Sequence, residues 1–156
     1  MNELPREIRG VMIPVSGTRV LLPNATVAEV ITFANPEPVA GAPAWLLGRI
    51  RWRGWRVPLV SFSTLAGYGS GEGALHARVA VLKALGGHPK LPFLALLTQG
   101  FPRLTTLTPD LLMPTGDGHA LPPGVREEVL LRDDLAVIPD MPVLEGLVAE
   151  ALAAAA

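Results

Sequence analysis

The chain has 156 residues, of which 49% are hydrophobic and 17% charged, and its formal net charge at pH 7 is −1. This length fits one domain, and the near-neutral charge provides no global basic field to attract nucleic acid or an anionic membrane. Glycine and proline contribute 16 residues each, which predicts short strands and turns rather than long helices. The absence of cysteine excludes disulfides and cysteine-ligated zinc.

The first ten residues and the length of the apolar runs indicate whether the protein is exported or inserted into a membrane. Residues 1–10 lack the apolar core of a signal peptide. No apolar run approaches the roughly 20 residues that a membrane-spanning helix needs. We therefore expect a cytoplasmic protein without direct membrane insertion.

The first half of the chain has the pattern of short strands joined by turns. Two apolar runs flank Ser16-Gly17-Thr18, and two more flank Arg53-Gly54, which predicts two hairpins. Between them, residues 35–43 carry three prolines and are expected to form a loop. The candidate strands are 8–15, 19–22, 27–31, 45–52 and 55–62.

The second half follows a glycine-rich stretch, residues 67–73, that we expect to be a flexible boundary between halves. The apolar run 77–85 fits a strand or a short helix equally well. A helix is predicted from Pro142, because an apolar stripe with helical spacing runs from Val143 to Leu152, with Glu145 off the stripe. The remaining candidates are strands at 92–98 and 103–107, a loop at 109–123, and a hairpin of 126–131 with 135–138.

Side chains that could support catalysis or bind metal are scattered. The three histidines are far apart in the sequence, and the carboxylate pairs at 127–128 and 133–134 would point to opposite faces of a strand. We therefore expect no cofactor, no metal site and no enzymatic activity. An enzyme using Asp117 and His119 in the 109–123 loop remains an alternative that rests on their proximity alone.

Residues 49–56 hold four of the 13 basic residues and two of the three tryptophans. On a strand, the arginines at 49, 51 and 53 would share one face, and Ile50 and Trp52 the other. One interpretation is a single-stranded nucleic-acid-binding β-barrel that uses this arginine and tryptophan strand. The others are a solvated strand over a core anchored by tryptophan, and a protein-docking surface, where Arg and Trp are enriched.

Two segments resemble the CheW-like adaptors of bacterial chemosensory systems. Residues 27–31 (VAEVI) fit the family's V-x-E-[VI] strand, and residues 43–62 (PAWLLGRIRWRGWRVPLVSF) fit P-x-x-x-x-G-x-[IV]-x-x-R-G-x-x-[VI]-P-[VIL]-[VI]-x-[LF]. The resemblance is close over residues 8–66 and extends to layout alone from residue 75, where Thr98-Gln99 replaces the family's Val-Asp. The short loops and divergent second half look more like adaptors of pilus-motility clusters than flagellar ones.

The resemblance implies a mainly β fold: two SH3-like five-stranded β-barrels that share a hydrophobic core, followed by a C-terminal α-helix. It implies a single domain over about residues 5–141, with the helix at 142–156. The first barrel would cover about residues 16–66. The second would cover about 75–141 together with the N-terminal strand 8–15.

The resemblance also implies a non-enzymatic scaffold that binds the regulatory domain of a CheA-type histidine kinase and a chemoreceptor's cytoplasmic tip, and not nucleic acid. By position, Val27, Glu29, Leu47 and Gly48 fall where the family meets the kinase, and Arg53 matches the arginine of the R-G pair. At Gly48 another chain's backbone could approach closely, or the glycine could simply serve a bulge or a turn. Val27 is expected to be either an interface anchor or a core residue. Glu29 would fix the register of a cationic partner or simply be solvated, and Arg53 would hold its turn or contact a partner.

Proline in a strand favours a sheet edge or a strand start, because proline cannot donate to the ladder. Pro58 therefore predicts either a strand start or a strand at a sheet edge, and such an edge is a place where another sheet could dock.

Overall fold

The computed structural model describes residues 8–69, 77–87, 91–108, 111–115 and 120–155. This part of the chain forms eleven strands and two α-helices in two sheets. The elements are β1 (Ile8–Val15), β2 (Thr18–Pro23), β3 (Val27–Thr32), β4 (Leu46–Trp52), β5 (Trp55–Val60), α1 (Phe62–Ala66), β6 (Arg78–Lys83), β7 (Phe93–Thr98), β8 (Arg103–Leu107), β9 (Leu112–Pro114), β10 (Val125–Leu131), β11 (Asp134–Pro139) and α2 (Met141–Ala155).

The strands divide into a five-stranded sheet, in the order β3-β6-β7-β5-β4, and a six-stranded sheet, in the order β8-β1-β2-β11-β10-β9. This confirms the mainly β fold with two barrel-like sheets and a C-terminal helix. The second sheet has six strands because β9 pairs with β10 inside the stretch that we expected to be a loop.

The distribution of strands between the sheets differs from the expected division at residues 16–66 and 75–141. β2 pairs with β1 and, in parallel, with β11, so it belongs to the six-stranded sheet. β6 and β7 return to the five-stranded sheet, where β7 runs parallel to β5. The glycine-rich stretch therefore does not separate the two sheets. Its residues from 70 onward lie outside the described part of the chain.

A shared core holds the sheets together, as the resemblance implied. Ile13 and Val20 of the six-stranded sheet, Leu82 and Leu96 of the five-stranded sheet, and Leu144 of α2 belong to one buried cluster. Each sheet also has a cluster of its own, around Leu59 in the first and around Leu21 in the second. The helix is therefore an integral part of the domain, because it packs against both sheets at the shared core.

Both helices depart in detail from the expectations. Strand β5 ends at Val60, and Phe62 begins α1 because the side chain of Ser61 caps the helix by accepting from the Thr64 backbone N–H. In α2, Glu145 is only 2% exposed although it lies off the apolar stripe. Its carboxylate accepts a 2.7 Å hydrogen bond from the backbone N–H of Gly86, which satisfies it in the interior.

Candidate partner-binding surface

The five residues singled out by the family pattern lie on the two outer strands of the five-stranded sheet and on the turn after β4. Val27 and Glu29 are on β3, Leu47 and Gly48 on β4, and Arg53 follows β4 directly. The pairing register shifts between Val27 and Glu29, and again between Leu46 and Gly48. β-Bulges of this kind re-aim side chains and are common at sheet edges beside functional sites.

Glu29 connects the two outer strands through its side chain. Its Oε1 accepts a 2.9 Å hydrogen bond from Trp52 Nε1 and a 3.1 Å hydrogen bond from Arg53 Nη2. Glu29 and Arg53 therefore form a half-exposed ion pair within one chain. The cation expected to come from a partner is supplied by the protein itself, and the bond ties β3 to the β4–β5 hairpin.

Arg53 occupies a turn that few side chains favour. Its φ is 47° and that of Gly54 is 81°, so both residues of this two-residue hairpin loop are left-handed, as in a type I′ turn. The Arg53 guanidinium lies 4.9 Å from the Trp52 ring centroid and pairs with Glu29. These contacts offset the backbone strain, so Arg53 holds its own turn, and its contact with a partner stays a prediction.

Gly48 is buried, and the backbone close to it belongs to the same chain. Glu37, in the loop between β3 and β4, forms an isolated bridge with Arg49: the two backbone N–H groups donate to each other's carbonyls at 2.8 and 2.9 Å. A Cβ on Gly48 would overlap the Glu37 carbonyl oxygen and lie 2.9 Å from Pro36 Cβ. The backbone that approaches Gly48 on the side of a Cβ is therefore that of Glu37 in the same chain, and an approach of a partner's backbone to Gly48 stays a prediction.

Val27 and Leu47 are the apolar members of the set, and both are half-buried. Val27 packs against the shared core, and Leu47 packs against the core of the five-stranded sheet. Each is thus partly a core residue, with part of its side chain open to solvent. Nothing in the sequence pattern separated these two from the residues engaged inside the chain.

Pro58 does not mark a sheet edge. Strand β5 lies between β4 and β7, and Pro58 is paired with Arg49 of β4. The parallel pairing with β7 begins only at Leu59, so no ladder partner needs the missing N–H of Pro58. The expected edge is wrong, and the outer strand on this side is β4.

The tryptophans do not form the stacking platform of the nucleic-acid alternative. Trp52 is only 8% exposed, its indole N–H is bonded to Glu29, and its ring meets Phe93 edge-on at 4.8 Å. Trp55 is 45% exposed and also meets Phe93 edge-on, at 6.0 Å. Nucleic-acid platforms stack successive bases on open rings, and this hairpin presents one partly open ring.

A metal site, a membrane-spanning helix and the enzyme alternative were the other possibilities to compare with the described ranges. They contain no group of three or more His, Cys, Asp or Glu side chains placed to hold a metal ion. None of the helices in these ranges is long and apolar enough to cross a bilayer. Asp117 and His119, the residues of the enzyme alternative, lie outside the described part of the chain.

Two barrel-like sheets on one core, with bulged outer strands braced by side chains, define a protein-docking module of the adaptor class. The chain belongs to the CheW-like domain family, which matches residues 9–146. It is accordingly a non-enzymatic adaptor of chemosensory signalling.

The fold is similar to that of the scaffolding protein TtCheW from Thermoanaerobacter tengcongensis, solved as a crystal structure. The two share 15% sequence identity with a TM-score of 0.72, over 90% of this chain and 89% of that one. No curated protein sequence matches the chain. The likeness to TtCheW therefore rests on the fold.

Proposed function

We propose that the chain couples chemoreceptors to a CheA-type histidine kinase in the cytoplasm, by binding the kinase's regulatory domain and the receptor's cytoplasmic tip. The observation that carries this proposal is the family match across residues 9–146, nearly the whole chain. The sequence departures after residue 75 keep assignment to a pilus-motility system a prediction.

The five family positions divide into two roles in this proposal. Val27 and Leu47 are half-buried apolar side chains that contact the kinase. Glu29, Gly48 and Arg53 position them, because their polar and backbone contacts lie within the chain. Support comes from the two bulges beside these residues, one in the pairing of β3 with β6 and one in the pairing of β4 with β5.

Coupling requires that the adaptor bind the active and inactive kinase arrangements with different affinity. A ligand can shift a two-state equilibrium only by its differential affinity for the two states. A rigid double barrel suits this role, because a surface that does not adapt binds one arrangement of the kinase more tightly than another. The shared core and the Glu29 bridge supply that rigidity.

A reconstituted signalling assay tests the proposal. The purified chain is combined with its cognate kinase and with receptor cytoplasmic fragments, and kinase autophosphorylation is followed with and without the chain. We expect receptor-dependent kinase activity to require the chain. We expect Leu47→Asp to abolish that activity, and Leu135→Asp to preserve it, because Leu135 is an exposed residue of β11 in the other sheet.

Circular dichroism of both variants separates loss of binding from loss of fold. The proposal fails if the folded wild-type chain leaves receptor control of the kinase unchanged and binds neither component. The placement of the patch fails if folded Leu47→Asp couples as well as Leu135→Asp does.

A further inference from the structure

The solvent face of the β4–β5 hairpin carries two arginines directly opposite each other. Arg51 and Arg56 are cross-strand partners, and both are exposed. Like charges in this position destabilise a sheet, because the opposed Cβ atoms lie only about 4.5–5.5 Å apart. This hairpin therefore keeps a locally unfavourable arrangement, which is typical of a functional site.

The arginine pair, Arg51 and Arg56, also lacks compensation within the chain. Across the ranges that the structure describes, no carboxylate lies within 4.0 Å of either guanidinium. Of the two nearby acids, Glu29 is already bonded to Trp52 and Arg53, and Glu37, which lines a surface pocket together with Arg51, forms no ion pair with it. With a net charge of −1 for the whole chain, the basic surface is local and not part of a general field.

The backbone that carries this pair is held in place on the sheet. The type I′ turn is held by the Arg53–Glu29 ion pair, and the opposite face is packed through Trp52 and Trp55 onto Phe93. Residues 51–56 line a shallow groove of about 370 Å³ beside the turn. Two guanidiniums carried side by side on this backbone can each bind a carboxylate in bidentate fashion.

From this charge complementarity we propose that the arginine pair binds an acidic segment on the regulatory domain of the kinase. The inference rests on the proposed adaptor function and specifies the chemistry of the facing surface: carboxylates in a loop or an outer strand. Nucleic acid fits the face less well, because Trp52 is buried with its indole N–H bonded to Glu29, and Trp55 packs on Phe93, which leaves one half-open ring for a base to stack on.

Binding titrations test the inference with matched variants. Arg51→Gln/Arg56→Gln removes the pair, and Arg9→Gln/Arg126→Gln removes two exposed arginines of the other sheet with the same change in net charge. With the kinase regulatory domain at 50 mM salt, we expect the first variant to bind at least about 10-fold more weakly, and the second within about twofold of wild type. Wild-type affinity should fall as salt is raised to 500 mM, and the variant lacking the pair should respond less.

A charge reversal separates binding from folding. Arg51→Glu places a carboxylate opposite Arg56, so its melting temperature should equal or exceed that of wild type while its affinity for the regulatory domain falls. If this variant binds as tightly as wild type, the proposal is overturned.

Two further probes distinguish failure of this inference from failure of the adaptor function. They are a Glu- and Leu-rich peptide and a 20-nucleotide thymidine strand. If wild type binds the kinase and the pair variant binds it equally well, the inference fails while the adaptor function stands. If the kinase does not bind but the peptide binds through the arginine pair, the adaptor function fails, while the claim that the pair binds acidic segments is supported. If the nucleotide strand binds more tightly than the peptide, the proposal that the arginine pair binds an acidic protein segment is overturned.

Discussion

Gly48 is the point at which the loop between β3 and β4 meets the sheet, and Gly48→Ala tests that contact. The φ of Gly48 is 142°, a conformation that L residues rarely adopt, and holding it costs on the order of 1–3 kcal/mol. The new Cβ would also overlap Glu37, which has to move away. That movement breaks two backbone hydrogen bonds between Glu37 and Arg49, each contributing about 0.5–1.5 kcal/mol.

The expected loss of stability is therefore about 2–6 kcal/mol, a large part of the roughly 5–15 kcal/mol that stabilises a typical domain. Equilibrium unfolding in urea, followed by tryptophan fluorescence, measures it. Gly54→Ala is the control: its φ is also positive, at 81°, but a Cβ there meets no atom within 4 Å. It should lose only about 1–2 kcal/mol for the backbone conformation.

Hydrogen exchange adds a local readout for the same substitution. The Arg49 amide is protected by Glu37, so its exchange should accelerate in Gly48→Ala and stay slow in Gly54→Ala. If Gly48→Ala unfolds with the same free energy as Gly54→Ala, the close approach of the loop to Gly48 contributes nothing, and the positioning role assigned to this glycine is refuted.

Three further predictions concern the rest of the fold. Burial and a 2.6 Å hydrogen bond to Glu128 raise the pKa of Tyr68 above its ordinary value of 10. The phenol therefore ionises at lower pH in the unfolded chain than in the folded one, so the unfolding free energy should be constant below pH 10 and fall above it. In urea titrations at pH 9 and 11, Tyr68→Phe should lessen that fall. Gly146→Ala, within α2 and facing open space, should stabilise the domain by about 1 kcal/mol in the same assay, and a loss would contradict this. Glu145→Ala should cost about 1.5–3 kcal/mol, because it removes the hydrogen bond that the Gly86 N–H donates to this buried, charged acceptor, whereas Glu145→Gln, which keeps a neutral acceptor, should cost less; equal losses would show that this bond does not matter.

The elements that sequence reasoning found are those set by local chemistry. The hairpins at Gly17 and Gly54 each follow from a short turn between two apolar runs, and both are present. Helix α2 follows from its periodic apolar stripe and is also present. In each case, the residues that determine the element lie within one or two turns of one another along the chain, which makes the pattern readable without tertiary context.

The division of strands between sheets could not be predicted in the same way. It depends on two parallel pairings, Leu59 with Ala95 and Val137 with Val20, whose members are far apart in sequence. A run of glycines resembles a domain boundary whether or not the chain returns to the same sheet. The burial of Glu145 was missed for a related reason, since its partner is a backbone amide in a distant loop.

At the candidate surface, the family pattern selects five positions, but it does not predict the contacts that these residues make within the chain. Glu29 and Trp52 are 23 positions apart, and no periodicity links a glutamate on one outer strand with an indole on the other. Gly48 fits a glycine required for close approach, as expected, but the approaching backbone comes from the loop at Glu37. A position that matches a functional motif can therefore act through the shape of its own chain.

This distinction decides how binding defects at the surface should be interpreted. A substitution at Glu29 or Gly48 disturbs contacts inside the barrel, so weaker binding of a partner would reflect altered geometry as much as a lost contact. Arg51 and Arg56 are different, because their side chains have no partner among the described residues and their removal relieves a like-charge repulsion. Lost binding together with undiminished stability is the signature of a contact residue, and on the β4–β5 hairpin the arginine pair is where we expect to find it.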